Sequence, residues 1–219
     1  MKKTLKIKVC GMRFPDNIQE LRGLQINWMG LIFHPLSPRW VPESEREQLL
    51  SNWPGRIKRV GVFVKQSTFQ IIDEAQKWRL HYIQLHGNYT PHECEILKEA
   101  GLLLIKVFSP TPDFNWDSLL AYEGLVDYFL FDTSGKLPGG NGFQFDWSLL
   151  DNYQGNTPFL LSGGIGPEDA QKVLEFDHPA FAGIDLNSRF EYRPAVKKIE
   201  LLEEFVQSIK NKNTNGSDR

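Results

Sequence analysis

Two reactive side chains stand directly after apolar runs of the sequence. Cys10 follows a run that starts at Leu5, and Asp132 follows the run at 128–131. A thiol whose pKa is lowered by nearby positive charge can act as a base or a nucleophile, although a small buried apolar role is the common fate of an unpaired cysteine. A carboxylate beside an apolar run is costly to bury unless it is paired or functional, and a turn-capping role would also explain Asp132. Both residues are therefore candidates for catalysis.

Three other polar residues follow apolar runs. Arg39 lies in a stiff, proline-flanked loop and either holds a planar carboxylate through its fork of N–H donors or is a solvated loop arginine. We expect His86 to be a wall or hydrogen-bonding residue rather than a proton-transfer group. Asp185 either orients other groups of a site or caps a turn. Cys94, by contrast, falls within a predicted helix and is expected to be structural.

Two glycine-rich segments come late in the chain, GGNG at 139–142 and GGIG at 163–166. Backbone N–H groups freed by glycine geometry, together with a helix N-terminus, make a site for a phosphate dianion. The alternative is that these glycines only permit tight turns. The candidate phosphate ligands are Gly140, Gly142, Gly163, Gly164 and Ser188.

Short, nearly continuous apolar runs alternate with helical patterns along the whole chain. Such runs are typical of parallel strands that are buried on both faces. The predicted strands are 5–10, 28–33, 57–64, 81–85, 102–108, 127–131, 158–161 and 180–184. The predicted helices are 16–24, 43–53, 68–78, 91–100, 116–122, 146–153, 167–176 and 195–209.

Eight strand–helix units predict an α/β fold, a single-domain (β/α)8 barrel over residues 1–210, followed by a polar, disordered tail at 211–219. An open doubly wound sheet is the runner-up, but its G-x-G-x-x-G signature after a strand is absent from the sequence. In a closed barrel the C-terminal ends of the strands meet at one mouth, where the active site lies. The barrel would therefore gather the candidate residues into one site.

Composition limits the classes of protein that this chain can represent. The net charge of −2 over 219 residues argues against a protein whose main role is to bind nucleic acid or an anionic membrane. The content of 41% hydrophobic residues argues against a disordered chain. Two cysteines cannot form a disulfide framework or a four-cysteine zinc site. No run approaches the roughly 18 apolar residues of a membrane helix, and the basic N-terminal segment lacks a sustained apolar stretch. We predict a cytoplasmic globular protein.

An ordered set of short motifs resembles the phosphoribosylanthranilate isomerase family over nearly the whole chain. The matching segments are KVCGM at 8–12, GLIF at 30–33 with SPR at 37–39, VGVF at 60–63, QLHG at 84–87, GGNG at 139–142, FDW at 145–147, LSGG at 161–164 and DLNS at 185–188, followed by Glu191. No single motif is decisive, but the ordered set is highly specific.

The resemblance implies a TIM-barrel enzyme of tryptophan biosynthesis that carries out an Amadori rearrangement of N-(5-phosphoribosyl)anthranilate. It implies Cys10 as general base, Asp132 as general acid and Arg39 as the ligand of the anthranilate carboxylate. The backbone at the glycine pairs and Ser188 would hold the phosphate, with His86 and Asp185 also at the substrate. No cofactor or metal is expected, the only expected partner is this small-molecule substrate, and the chain would be a monomer or a homodimer.

Two positions depart from the family pattern, and two other functions remain open. Asn141 stands where the family usually has threonine, and Arg189 stands where it usually has glycine, so the last phosphate loop either takes another course or gains a charge. The related histidine-pathway isomerases would be expected to have an aspartate in place of Cys10. An indole-glycerol-phosphate synthase would need a catalytic lysine, for which Lys65 and Lys106 are the nearest candidates. The other alternative is a non-catalytic barrel that binds a phosphorylated ligand.

Overall fold

Eight parallel strands form a closed barrel in sequence order. The structure, a computed structural model, describes residues 4–132 and 146–214. Each strand pairs with the next along the chain, and β8 closes onto β1 with Lys8 opposite Asp185. The strands are β1 (Lys6–Val9), β2 (Trp28–Ile32), β3 (Lys58–Phe63), β4 (Tyr82–Leu85), β5 (Leu103–Phe108), β6 (Tyr128–Phe131), β7 (Phe159–Leu161) and β8 (Phe181–Leu186). The closed barrel is confirmed, and the open sheet is wrong.

Helical segments connect the strands on the outside of the barrel. The α-helices are α1 (Pro15–Glu20), α2 (Arg46–Ser51), α3 (Thr68–Lys77), α4 (Pro91–Glu99), α5 (Ala170–Glu175) and α6 (Ile199–Thr214). The segments predicted as helices at 116–122 and 146–153 are 3-10 turns, at Trp116–Tyr122 and Trp147–Asn152. Further 3-10 turns lie at Leu21–Gly23, Glu43–Glu45, Pro167–Asp169 and Ser188–Phe190. Ser67 and Thr90 begin α3 and α4 with capping boxes, which satisfy backbone N–H groups of the first turn.

Side chains alternate between the barrel interior and the helix layer. In β1, Ile7 and Val9 belong to the large apolar cluster beneath the helices, whereas Lys8 and Cys10 have the opposite parity and face inward. A second apolar cluster fills the barrel interior and is formed by Trp28, Val60, Ile105, Val107, Leu130 and Leu160, with Tyr82 and Tyr128 packed against it. This cluster separates the polar inward residues at the C-terminal ends of the strands, such as Lys8, from those at the N-terminal ends, such as Lys6, whose ammonium lies over the Trp28 ring.

A short hairpin precedes the last helix. Its strands β9 (Glu191–Arg193) and β10 (Val196–Lys197) pair antiparallel, although the sequence predicts a helix from 195 onward. The reason is local, because Pro194 is followed by Ala195 at φ +67°, a type II turn pattern that reverses the chain. Helix α6 runs to Thr214, past the predicted start of the tail at 211. Residues 215–219 lie outside the described residues, so the tail stays a prediction.

Candidate active site

Cys10 lies immediately after β1, at the mouth of the barrel. Its N–H donates to the Leu186 carbonyl at 2.8 Å, which anchors it to β8, and the residue is buried. Gly11 follows with φ +75°, and a Cβ added there would stand 2.5 Å from Arg39 Cδ. Glycine is therefore needed at this position, both for its backbone conformation and because the Arg39 side chain packs against it.

A buried ion pair lies beside Cys10. Lys8 Nζ is 2.7 Å from Asp185 Oδ2, and both side chains are nearly inaccessible to solvent. Burial alone would lower the pKa of Lys8, but Asp185 and Cys10 together raise it, so Lys8 is charged. Asp185 is a residue of β8 and not a turn cap, so the capping alternative is wrong. Its second oxygen, Oδ1, is buried without a hydrogen-bond partner among the described residues.

The thiol of Cys10 does not have the lowered pKa that its chemistry calls for. Burial raises the pKa of Cys10, and the nearby charge of Asp185 adds to this, against the opposing effects of Lys8 and Lys197. The expectation that positive charge lowers this pKa is corrected, because desolvation outweighs the attraction of the cations. Cys10 is therefore a thiol at neutral pH.

Arg39 belongs to a second buried charge network. Its Nη2 and Nε donate to the Glu191 carboxylate at 2.6 and 3.0 Å, and Lys197 Nζ lies 2.6 Å from the same carboxylate. Lys197 also donates to Asn187 Oδ1 at 2.8 Å. Arg39 is thus a buried residue and not a solvated loop arginine. Two cations share one carboxylate, so the network carries one surplus positive charge next to Cys10 and Gly11.

Asp132 follows β6, and its N–H donates to the Phe108 carbonyl at 2.9 Å. The residue is half-buried. Its charge helps to raise the pKa of Asp185, after burial as the main cause, which places the two carboxylates near one another at the mouth. A turn-capping aspartate would contact residues 133 and 134, which lie outside the described residues, so the turn-capping alternative for Asp132 is not tested.

His86 follows β4, and its N–H donates to the Phe63 carbonyl at 2.8 Å. Burial lowers its pKa, and the neighbouring cations Lys106 and Lys8 lower it further, so the imidazole is neutral near pH 7. A neutral, half-buried ring fits a wall or hydrogen-bonding residue. The charges that act on it place it at the same end of the barrel as Lys8 and Asp185.

The loop after β7 has the geometry that its glycines predict. Gly163 and Gly164 have φ of +85° and +73°, a conformation that other residues rarely adopt. Ser188 begins the 3-10 turn after β8. These positions suit a phosphate cradle and equally suit a tight turn, so the phosphate role stays a prediction. Gly140, Asn141 and Gly142 lie outside the described residues.

Arg189 does not need the backbone freedom of glycine. It lies in the Ser188–Phe190 turn, and among the described residues other than glycine only Arg79 and Ala195 have positive φ. Its exposed guanidinium pairs with Glu168, at the start of the turn that leads into α5. The departure from the family pattern is therefore accommodated without strain.

Lys8, Glu191 and Lys197 complete the two networks, but the sequence alone assigns no role to the two lysines and indicates Glu191 only as part of a motif. The signal for Lys8 was its alternation with Cys10, with the apolar Ile7 and Val9 on the opposite face, which puts Lys8 and Cys10 on one face. Over the described ranges 4–132 and 146–214, no group of three or more His, Cys, Asp or Glu side chains is placed to hold a metal ion. No helix in that part of the chain is long and apolar enough to span a membrane.

Comparison with known families identifies the family of this chain. The family model described as N-(5'-phosphoribosyl)anthranilate (PRA) isomerase matches residues 7–208. The chain belongs to this family. A relative from Parabacteroides distasonis, named N-(5'-phosphoribosyl)anthranilate isomerase, is 48% identical over 204 residues, which cover 93% of this chain and 92% of the relative. Membership in the PRA isomerase family makes the chain an isomerase of tryptophan biosynthesis.

Solved structures of PRA isomerases share the fold. The enzyme from Thermus thermophilus superposes with a TM-score of 0.83 at 22% identity, covering 95% of this chain and all of that one. A PRA isomerase in complex with reduced 1-(o-carboxyphenylamino)-1-deoxyribulose 5-phosphate has a TM-score of 0.77 at 25% identity, covering 94% and 99% of the two chains. The TIM-barrel expectation is confirmed.

Proposed function

We propose that Cys10 and Asp132 are the general base and general acid of the PRA isomerase reaction. The reaction converts N-(5-phosphoribosyl)anthranilate to 1-(o-carboxyphenylamino)-1-deoxyribulose 5-phosphate. The observation that carries this proposal is the position of both groups on the inner face at the C-terminal ends of β1 and β6, with β7 and β8 between them. This arrangement puts an acid and a base on different sides of one mouth, as the two proton transfers require.

The first step opens the sugar ring. Asp132 gives its proton to the ring oxygen while the C1′–O bond breaks and the nitrogen lone pair forms a C1′=N bond. The product is a protonated Schiff base with a free hydroxyl at C4′. This step needs a carboxylic acid, so the acid form of Asp132 is the active one.

The second step moves a proton from C2′. The Cys10 thiolate removes this proton, the C–H electrons form a C1′=C2′ bond, and the C=N electrons return to nitrogen. The resulting enolamine tautomerises to the ketone, with a proton added at C1′ and one lost from the C2′ hydroxyl. Because the Schiff base is cationic, its formation beside Cys10 favours the thiolate at the moment when the base is needed.

Arg39 is proposed to hold the anthranilate carboxylate. Glu191 occupies Nε and Nη2 of its guanidinium, and Nη1 has no partner in the described part of the chain, which leaves it for a ligand. The surplus positive charge of the network favours an anion at this position. Asp185 Oδ1, which has no hydrogen-bond partner among the residues that the structure describes, would accept a hydrogen bond from a ribose hydroxyl. The phosphate would bind at Gly163, Gly164 and Ser188, together with Gly140 and Gly142.

The lysines considered for a synthase reaction are not on the inner face of the barrel. Lys65 is exposed in the loop after β3. Lys106 has outward parity on β5, where its ammonium lies 2.8 Å from the Gly87 carbonyl and over the Phe108 ring. A synthase-like mechanism is therefore disfavoured by position. The cytoplasmic location and the monomeric or homodimeric state remain predictions.

The direct test is turnover of freshly prepared N-(5-phosphoribosyl)anthranilate, followed by loss of anthranilate fluorescence. We expect turnover without added metal, nearly abolished by Asp132→Asn and strongly reduced by Cys10→Ser. Cys94→Ser is the matched control, because Cys94 is equally buried but lies in α4, and it should retain activity. Normal activity in Cys10→Ser or Asp132→Asn would overturn the acid–base assignment, and an inactive wild type would favour the non-catalytic alternative.

A further inference from the structure

The sulfur of Cys10 and the ammonium of Lys8 converge on the same space. A Cβ added at Gly30 would be 2.7 Å from Cys10 Sγ and 3.2 Å from Lys8 Nζ. Both side chains come from the inner face of β1, and they cover Gly30 on β2. The absence of a side chain at position 30 therefore creates the space in which the thiol meets the ammonium.

Lys8 is a neighbour of both Asp185 and Cys10. Its ammonium is 2.7 Å from Asp185 Oδ2, and it lies beside the Cys10 sulfur in the space over Gly30. Since an ammonium has three protons, it can serve both groups at once. A proton lost from Cys10 would leave two negative groups, the thiolate and Asp185, around one buried cation.

Other charged groups face this cluster from the neighbouring elements. Lys197, on β10, also attracts the thiolate, but its ammonium is held by Glu191 and Asn187 at 2.6 and 2.8 Å. Asp132 acts on Asp185, and His86 is neutral beside Lys8. Lys8 is thus the cation that shares the space over Gly30 with the sulfur.

We propose that Lys8 is a positioning residue that holds the Cys10 sulfur and stabilises its thiolate, and that Asp185 weakens this effect by sharing the same ammonium. The proposal rests on the proposed role of Cys10 as the base. Lys8 acts through Cys10, and the balance between Lys8 and Asp185 sets how readily the base forms.

The proposal predicts that substitution of Lys8 and substitution of Asp185 shift the titration of Cys10 in opposite directions. Replacement of Lys8 removes the attraction for the thiolate, whereas replacement of Asp185 removes a repulsion and frees the ammonium for the sulfur. A purely structural ion pair would give effects of the same direction, because either substitution breaks the same contact. The sign of the change in the Cys10 titration therefore separates the two explanations.

The experiment titrates the thiolate by its absorbance at ultraviolet wavelengths in a Cys94→Ser background. The same protein with Cys10→Ser is subtracted to remove the tyrosine signal. In Asp185→Asn the Cys10 midpoint should fall by about one pH unit or more, and in Lys8→Met it should rise. Lys106→Met is the control. Lys106 is also buried, but it points away from the barrel interior, so its substitution should leave the Cys10 midpoint unchanged.

The double variant Lys8→Met/Asp185→Asn keeps the test decisive if a single variant fails to fold, because it leaves no charge buried alone. Its Cys10 midpoint should lie above that of Asp185→Asn and below that of Lys8→Met, so either single variant that folds supplies the comparison, and the reverse order would overturn the proposal. Shifts in the same direction for both single variants would also overturn it. The titration needs no substrate, so it stands apart from the test of the isomerase role, in which Cys10→Ser would retain activity if the base were another group.

Discussion

The guanidinium of Arg39 is held by the carboxylate of Glu191, 152 residues away in the sequence, through hydrogen bonds of 2.6 and 3.0 Å from Nη2 and Nε. Both side chains are almost fully buried. The hairpin that carries Glu191 thereby fixes the orientation of an arginine that belongs to the loop after β2. This contact joins the last connection of the barrel to its second one, on the same side as Cys10.

Glu191→Gln should raise KM for N-(5-phosphoribosyl)anthranilate with a much smaller change in kcat, because Arg39 would lose the partner that orients it toward the substrate carboxylate. It should also lower the free energy of unfolding by about 3 kcal/mol, since two buried cations would lose their shared counter-ion. Steady-state kinetics and urea denaturation would measure the two effects.

Glu45→Gln is the matched control for that substitution. Glu45 pairs with Arg13 at 2.6 Å, but about a third of each side chain is exposed. Its loss should cost no more than about 1 kcal/mol and leave KM unchanged. An unchanged KM in Glu191→Gln would contradict the positioning of Arg39 by Glu191.

The activity should depend on pH through Cys10 and Asp132 together. The reaction needs the acid form of Asp132 and the thiolate of Cys10, whose pKa is raised by burial, so with rising pH the gain of thiolate is offset by the loss of the acid form and kcat/KM should stay level through the neutral range. His86 contributes no step there, because its lowered pKa keeps it neutral. At alkaline pH, once Cys10 is ionised, further loss of the acid form should lower kcat/KM. The profile of kcat/KM against pH in the wild type would measure this, and a rise that continues through the alkaline range would contradict the need for the acid form of Asp132.

Gly30→Ala should strongly reduce kcat. The added methyl would lie 2.7 Å from Cys10 Sγ and 3.2 Å from its Cα, closer than real contacts allow, so the sulfur must move. Gly55→Ala is the control, because no atom lies within 4 Å of the position of its added methyl. Fluorescence assays would compare kcat in the two variants. Equal activity in both would show that catalysis does not depend on the position of the Cys10 sulfur.

Ala195→Gly should stabilise the fold by about 1 kcal/mol, because Ala195 holds a φ of +67° in the turn between β9 and β10. Chemical denaturation would measure the change. The opposite sign is expected for Ala75→Gly in α3, where glycine is a poor helix former. A loss of stability in Ala195→Gly would mean that the turn gains nothing from glycine.

The sequence contained enough information for the barrel but not for its charge networks. The eight strands were found because each is a short apolar run, and the strand edges differ from the prediction by at most two residues, as at Leu186. The hairpin at 191–197 was missed because its two strands are too short to show a period-2 pattern. Its turn was hidden because an alanine occupies a position that usually has glycine.

The partners of the site residues depended on contacts between distant parts of the chain. Cys10, Arg39 and Asp185 were recognised by their place after or within strands, and Asp132 by the apolar run before it. Their partners Lys8, Glu191 and Lys197 become visible only when the barrel closes and β8 lies beside β1. The raised pKa of Cys10 could not be predicted either, because the degree of burial that causes it is a property of the packed mouth.

A deuterium isotope effect tests most directly which step each of the two groups performs. The rates for N-(5-phosphoribosyl)anthranilate with hydrogen or deuterium at C2′ would be compared in Cys10→Ser and Asp132→Asn. In Cys10→Ser, removal of the C2′ proton is slowed, so the deuterated substrate should react clearly more slowly. In Asp132→Asn, ring opening is slowed, so the two substrates should react at the same rate. The reverse pattern, or the same isotope effect in both variants, would contradict the assignment of Cys10 as base and Asp132 as acid.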